Sequence, residues 1–248
     1  MALATITSSS VIASPTQTQL RDALKAAFVA AGMTFIESIG TTVPQDVFSL
    51  PTVDGLGIEG YPVLHWSNTT TLAPSIRLYG AYNAATDTLS AAASITGATS
   101  GTVVSTGNTT AITAINHPQL RGVYTKSGTT NCNFMVAVLD PAYKPSWVTG
   151  PYALVSGGST LTNGYGLGAT TFDILRRATG VRSVDSKREV VPFVEFASSS
   201  LFAGAIRDGV AMGATTSVSP LDTLVVTAGA EEYLVIENSS SAVCVRVV

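Results

Sequence analysis

In one segment near the start of the chain, the apolar residues recur with the period of an α-helix. Between residues 14 and 32 the apolar side chains recur every three or four positions, at Leu20, Ala23, Leu24, Ala27, Phe28 and Ala31. This spacing predicts an amphipathic helix. Ser14 and Gln17 fit a capping box, and Pro15 suits a first helical turn. Gly32 suits the left-handed residue that ends a helix. We therefore predict a helix over 14–32, with the charged residues Arg21, Asp22 and Lys25 on its other face.

Nearly all of the remaining chain shows the pattern of strands and turns. Extended runs are predicted at Ala4–Ile12, Met33–Ile39, Val47–Leu50, Val63–Trp66, Ser75–Tyr82, Cys132–Leu139, Val190–Phe196, Leu221–Thr227, Glu232–Glu237 and Ala242–Val248. Cys132–Leu139 is apolar on both faces, which predicts a central strand covered on both sides, with the helix as a candidate for one of the two covers. Pro192 places its run at a sheet edge or a bulge. The last two runs form a predicted hairpin.

The segments between these runs are assigned from their glycine, proline and small-residue content. Asp54–Pro62 is predicted as a glycine-punctuated loop and Asn83–Thr88 as a turn. Ala91–Ile115 is predicted to form short packed strands joined by glycine turns. Phe172–Ala178 is predicted as a short helix that Thr171 caps and Gly180 ends.

These elements predict an α+β fold that is mainly β. The helix packs on an antiparallel or mixed sheet, and a mainly-β, sandwich-like unit follows. The stretch 156–170 is rich in glycine and poor in large apolar residues, so we expect a linker or loop there. The predicted domains are therefore 1–155 (α+β) and 171–248 (mainly β).

Composition excludes several classes of function. The chain has 248 residues, 46% of them hydrophobic and only 12% charged, and its net charge is −3. Such a chain lacks the basic footprint of nucleic-acid binding. No run approaches the roughly 20 apolar residues that span a bilayer, so no membrane association is expected. The first residues do not resemble a secretory signal, and Cys132 and Cys244 are expected to be reduced and packed as small hydrophobes.

The histidines do not form a recognisable catalytic or metal-binding pattern. His65 lies in a strand-like run and is expected to be packed there, whereas His117, before Pro118, is expected in an exposed loop. Neither has metal-ligand spacing, and there is no nucleophile-elbow motif.

The remaining polar clusters are explained by structure rather than chemistry. Gly164, Gly166 and Gly168 do not match a dinucleotide fingerprint, so a flexible turn or an interdomain joint is expected. The basic cluster is expected to be a solvated or intersubunit salt-bridged face; it comprises Arg176, Arg177, Arg182, Lys187 and Arg188, with Asp173, Asp185 and Glu189 among them. Asp54 and Glu59 share a glycine-rich loop that supplies too few oxygen ligands for calcium, and Glu231 and Glu232 flank the start of a strand. We predict no enzyme activity, no cofactor, and no catalytic, cofactor-binding or metal-binding residue.

The overall pattern resembles structural proteins of tailed-bacteriophage virions. The residues that carry the resemblance are LRDALKAAFVAAGMTF (Leu20–Phe35), SIRLYGAYNAATDTLS (Ser75–Ser90) and EYLVIENSSSAVCVRVV (Glu232–Val248). The resemblance covers most of the chain and lies in its general composition and pattern, without an invariant motif. It implies a protein made in the host cytoplasm and located in the virion, most readily in the tail, neck or baseplate. Its expected partners are other virion proteins and further copies of itself.

Other functions stay open at this point. Within the virion, capsid decoration and fibre attachment are alternatives. A small enzyme with an unrecognised site is the alternative from another class. A carbohydrate-binding β module is a third, and it would need exposed aromatic residues such as Trp66 and Trp147.

Overall fold

The computed structural model describes most of the first 146 residues and separate segments after them. The described residues are 2–11, 13–68, 72–90, 95–99, 104, 107–146, 152–154, 164–166, 171–174, 183–184, 187–188, 190–191, 194–198, 201–206, 209–213, 219–226, 231–238 and 242–248. Within them the fold is mainly β, with one helix packed on antiparallel sheets, which confirms the predicted class.

Helix α1 spans Gln17–Ala30, a shorter range than predicted. Its N-cap is Thr16, which forms a reciprocal capping box with Gln19, so the predicted Ser14–Gln17 box is wrong. Ser14 instead lies before the helix with a positive φ of 53°. The C-terminal end is as expected, because Gly32 has φ +82°. The Met33 amide then donates to the Phe28 carbonyl, as in a Schellman motif.

The first part of the chain forms two sheets. The central sheet has the order β1 (Thr5–Val11), β9 (Thr110–His117), β10 (Leu120–Ser127) and β11 (Thr130–Ala137). The front sheet has the order β2 (Thr34–Ile39), β3 (Gln45–Pro51), β4 (Ile58–His65), β5 (Ser75–Tyr79) and β8 (Ile95–Thr99). A small hairpin, β6 (Tyr82–Asn83) with β7 (Thr88–Leu89), confirms the turn predicted between them.

Two further sheets follow. The third sheet has the order β12 (Tyr152–Leu154), β13 (Gly164–Gly166), β14 (Thr171–Ile174), β18 (Val194–Ser198) and β19 (Leu201–Ile206). The C-terminal sheet has the order β17 (Val190–Val191), β20 (Val210–Gly213), β23 (Ala242–Arg246), β22 (Glu231–Asn238) and β21 (Thr223–Val226). A short hairpin joins β15 (Ser183–Val184) to β16 (Lys187–Arg188), and a 3₁₀ turn covers Pro141–Tyr143.

The first core lies between helix α1 and the facing sides of the central and front sheets. Leu20, Leu24 and Phe28 of the helix are at most 1% exposed. The Phe28 ring lies 5.2 Å from Phe48 of the front sheet and 6.4 Å from Phe134 of the central sheet, centroid to centroid. The predicted burial of the helix stripe is therefore confirmed.

The second core covers the opposite face of the central sheet. Ile115, Leu120 and Met135 of that sheet pack in one cluster with residues of the last quarter of the chain, including Val194 and Val245. Strands β9, β10 and β11 of the central sheet are consequently buried on both faces, whereas β1 is largely exposed. Strand β11 is covered on both sides, as expected, although it ends its sheet rather than lying in the middle. The predicted domains stay a prediction, and this cluster joins residues from both of them.

Three predicted segments are corrected by strand pairing. Thr171–Ile174 is a strand rather than the start of a helix, because Asp173 and Ile174 pair with β18. Strand β4 begins at Ile58, inside the predicted loop. The run with Pro192 divides into β17 and β18, of which β17 lies at a sheet edge. The pairing of β22 with β23 confirms the C-terminal hairpin.

Candidate functional site

The most tightly bonded polar group in the described chain is the carboxylate of Asp46. It lies on β3, and its side chain is 0% exposed. The Arg21 guanidinium donates from Nε to Oδ2 at 2.7 Å and from Nη2 to Oδ1 at 2.6 Å. The Ser38 hydroxyl donates to Oδ1 at 2.6 Å. Bidentate pairs of this kind fix orientation as well as charge, so Asp46 holds helix α1 against the front sheet.

The helix spacing explains how this cluster forms. Arg21 and Lys25 lie one turn apart on the same side of α1, and the Lys25 Nζ lies 3.9 Å from Oδ1 of Asp46. The same ammonium group lies 4.2 Å above the ring of Phe35. The hydrogen bond to Asp46 raises the pKa of Arg21 in spite of its partial burial. Because the carboxylate is fully enclosed, the cluster is a structural clamp and does not present a base to a substrate.

A second polar junction joins the end of the helix to the central sheet. Arg121 of β10 is 7% exposed and donates to the carbonyl groups of His117 and Gly32, each at 3.2 Å. Burial lowers the pKa of Arg121. A cation beside the last carbonyl groups of a helix is stabilised by the helix dipole. Arg121 therefore closes the C-terminal end of α1.

His117 belongs to this junction, and the expectation of an exposed loop is wrong. It ends β9 and is 0% exposed. Its Nδ1 accepts the Gln119 amide at 3.2 Å, which places the proton of a neutral ring on Nε2. A Cβ on Gly209 would lie 2.9 Å from Nε2, so that glycine allows the C-terminal part of the chain to approach the ring. His117 is a packed residue of the junction.

His65 lies on a different sheet, so the structure does not bring the two histidines together. It is half-buried on β4, opposite Ser75. Burial, and then the nearby charge of Arg77, lower its pKa. The expectation of a packed strand histidine is consistent with this placement.

The loop between β3 and β4 is held by its own side chains and presents one apolar residue. We call Thr52–Gly57 the Leu56 loop. The Thr52 hydroxyl donates to Asp54, and Oδ1 of Asp54 also accepts the Leu56 amide at 3.0 Å. The Gly57 amide donates to the Thr52 hydroxyl at 2.9 Å. The bonds from the Thr52 hydroxyl and then the Leu56 amide lower the pKa of Asp54, and Leu56 itself is 89% exposed.

Asp54 accepts hydrogen bonds from residues of its own loop. Among the described residues, no group of three or more His, Cys, Asp or Glu side chains is placed to hold a metal ion. The side chain of Glu59 lies outside the described part of the structure. Glu231 pairs with Arg246, with 3.3 Å between carboxylate oxygen and guanidinium nitrogen, and Glu232 lies beside it on β22.

The other sequence candidates fall into strands or outside the described residues. Gly164 and Gly166 lie in β13, so a flexible turn is wrong for these two positions. Lys187 and Arg188 form β16. Asp173 lies on β14. The remaining members lie outside the described residues: Gly168, Arg176, Arg177, Arg182, Asp185 and Glu189.

The cysteines and tryptophans are placed by burial. Cys132 and Cys244 are thiols at most 1% exposed, which confirms that they pack as small hydrophobes. Trp66 is 0% exposed, so it does not offer a stacking face to a sugar, and Trp147 lies outside the described residues. In the described part of the chain, no helix is long and apolar enough to cross a membrane.

Sequence reasoning missed the two buried charges, Asp46 and Arg121. Their signal in the sequence is a charged residue directly beside apolar strand residues, Asp46 before Val47 and Arg121 after Leu120. Such a residue is expected to have a partner when buried. The sequence does not say which cation or carbonyl group supplies it.

No protein-family model matches the chain, and no curated protein matches it in sequence.

Proposed function

We propose that this chain is a structural protein of a tailed-bacteriophage virion, in the tail, neck or baseplate, and that it acts through subunit assembly. The observation that carries the proposal is the Leu56 loop. Side-chain hydrogen bonds order this loop, and it holds a leucine almost entirely in solvent. An ordered apolar tip loses little conformational entropy when a partner covers it, which suits a contact between subunits.

Other exposed apolar residues support the same function. Ile58, directly after the loop, is 54% exposed, and Val225 on β21 is 56% exposed. Long charged side chains are scarce, since 12% of all residues are charged. Surfaces of this kind bury readily against a neighbour because few charges must be desolvated. The polar clusters described above are bonded to other residues of the same chain. Assembly is therefore the activity that the structure supports best.

The test is to look for the chain in purified particles of the virus that encodes it. We expect mass spectrometry to detect it in stoichiometric amount. In a particle reconstruction, we expect Leu56 to be covered by a neighbouring subunit and several hundred Å² to be buried per copy.

A matched pair of variants tests the role of the loop. Leu56→Asp should lower incorporation into particles several-fold, because it places a charge at the contact. Thr86→Asp, at an exposed turn elsewhere, should incorporate normally. Absence of the chain from particles, or equal incorporation of the two variants, would contradict the proposal.

A further inference from the structure

The outer edge of β1 plays no part in the Leu56 contact proposed above. Strand β1 pairs with β9 over seven residues, from Thr5 opposite Asn116 to Val11 opposite Thr110, without a shift of register. Five of its seven residues are exposed. Among the described residues, no backbone group other than those of β9 bonds to β1. Within the described part of the chain, the outer edge of β1 therefore has a row of backbone donors and acceptors with no partner strand.

The other strands that end a sheet are short, irregular or covered. β2 carries a bulge and Glu37, and β11 is buried from Cys132 onward. β19 receives a hydrogen bond at the Ala205 carbonyl from the Asp140 amide. β8 has five residues including Gly97, and β12, β17 and β21 have three, two and four residues. Proteins use such devices to prevent unwanted edge pairing, and β1 has none of them.

The residues of β1 favour pairing with an identical strand. The sequence TITSSSV has no charge and no proline, and the first charged residue of the chain is Arg21. Two copies therefore meet without like-charge repulsion. An antiparallel pair centred on Ser8 is two-fold symmetric and uses all seven residues, with Thr5 opposite Val11. Two-fold symmetry is the commonest arrangement of identical subunits.

The strand is also fixed in position. Ile6 packs against the second core and Val11 against the first, from opposite faces of the strand. A partner strand would thus meet an ordered template over a length of about 24 Å.

We propose that β1 pairs antiparallel with β1 of a second copy of this chain and joins two four-stranded central sheets into one continuous sheet. This inference deepens the proposed assembly function and rests on it. The contact is small compared with a stable dimer interface, so it acts together with other contacts in the particle. The pairing mode is strand addition at a sheet edge.

Cysteine trapping tests the pairing and its register. In the Ser8→Cys variant, the two introduced thiols face each other, with Cα atoms about 4.5–5.5 Å apart, within the range that a disulfide bridges. In the matched Ser10→Cys variant, four residues separate the two thiols, a distance of about 13 Å. Both positions are exposed, and the native cysteines are at most 1% exposed.

We expect mild oxidation of the full-length protein, concentrated or in particles, to give at least about tenfold more covalent dimer with Ser8→Cys than with Ser10→Cys. Sedimentation tests the same pairing without a disulfide. In that assay the Ser8→Lys variant should show reduced self-association, whereas the Ser8→Thr variant should retain it. Equal trapping at the two positions, or no trapping at Ser8 in either sample, would overturn the inference.

The outcomes separate this inference from the proposed function. A chain found in particles without a Ser8 cross-link would keep the virion role and reject the β1 pairing. A chain that cross-links at Ser8 when concentrated but is absent from particles would keep the pairing and reject the virion role.

Discussion

The clamp between Arg21 and Asp46 makes an asymmetric prediction about stability. Arg21→Met removes the guanidinium and leaves a carboxylate that is 0% exposed. Removing one partner of a buried ion pair costs about 3–5 kcal/mol, because the remaining charge is desolvated without compensation. The Ser38 hydroxyl and the Lys25 ammonium stay close to Asp46, so we expect a loss of unfolding free energy near 3 kcal/mol, at the lower end of that range.

The reverse change should cost less. Asp46→Asn leaves the guanidinium of Arg21, whose side chain is 23% exposed and can turn toward water. The loss is then mainly that of hydrogen bonds to a charged group, about 1.5–3 kcal/mol. We therefore expect Arg21→Met to destabilise the protein more than Asp46→Asn.

A double-mutant cycle measured by urea unfolding checks this reasoning. The combined variant should be less destabilised than the sum of the two single variants, with a coupling energy of roughly 1–3 kcal/mol. Asp22→Asn, at an exposed position on the same helix, should change stability by less than about 0.5 kcal/mol. Additive effects, or a larger cost for Asp46→Asn, would show that burial of Asp46 is not what makes the pair necessary.

Three further predictions concern the core, a close backbone approach and pH. Leu24→Ala should cost about 2–5 kcal/mol in unfolding free energy because Leu24 is 0% exposed, whereas Val29→Ala on the exposed side of the helix should be nearly neutral. Gly122→Ala should cost about 3 kcal/mol or more, since its Cβ would overlap the neighbouring strand; Gly107→Ala has open space and should cost about 1–2 kcal/mol for its positive φ. The pKa of His65 is lowered in the folded state, so its contribution to stability is present above the unfolded pKa of about 6.5 and is lost as the pH falls from that value through the lower pKa of the folded state. His65→Gln should therefore flatten the stability profile below pH 7, and an unchanged acid limb would contradict this.

Local periodicity predicted the helix and the regular strands because their signals lie within single segments. The stripe from Leu20 to Ala31 specifies the buried face without knowledge of its partner. The position of the helix start was not determined in the same way. The same capping pattern fits both Ser14–Gln17 and Thr16–Gln19. In the structure it is Thr16 that has the extended backbone of an N-cap and forms the box. A short cap motif is degenerate where two hydroxyl residues lie close together.

The errors fall where non-local pairing decides the structure. Residues 171–174 have the composition of a helix start, but Thr171 and Phe172 pair with β13, and Asp173 and Ile174 pair with residues of β18 more than twenty positions further along. His117 has the sequence context of a loop, yet β9 extends through it before a tight turn to β10. The partner of Asp46 is on a helix and that of Arg121 is at a helix end, and neither spacing is visible in the sequence. Tertiary context overrides local preference at these positions.

The central sheet determines how the two parts of the chain behave together. Its two faces belong to different cores, one closed by helix α1 and one closed by the C-terminal strands. The Ala4 amide also donates to the Arg246 carbonyl, and the Asp140 amide to Ala205, so hydrogen bonds join the two parts as well. A cut within 156–170 would therefore leave two fragments that hold each other through a shared apolar cluster. A second copy paired at β1 would extend the sheet that both cores stabilise. Because β1 is anchored in that sheet, a force on the paired edge would act on the whole fold and not on β1 alone.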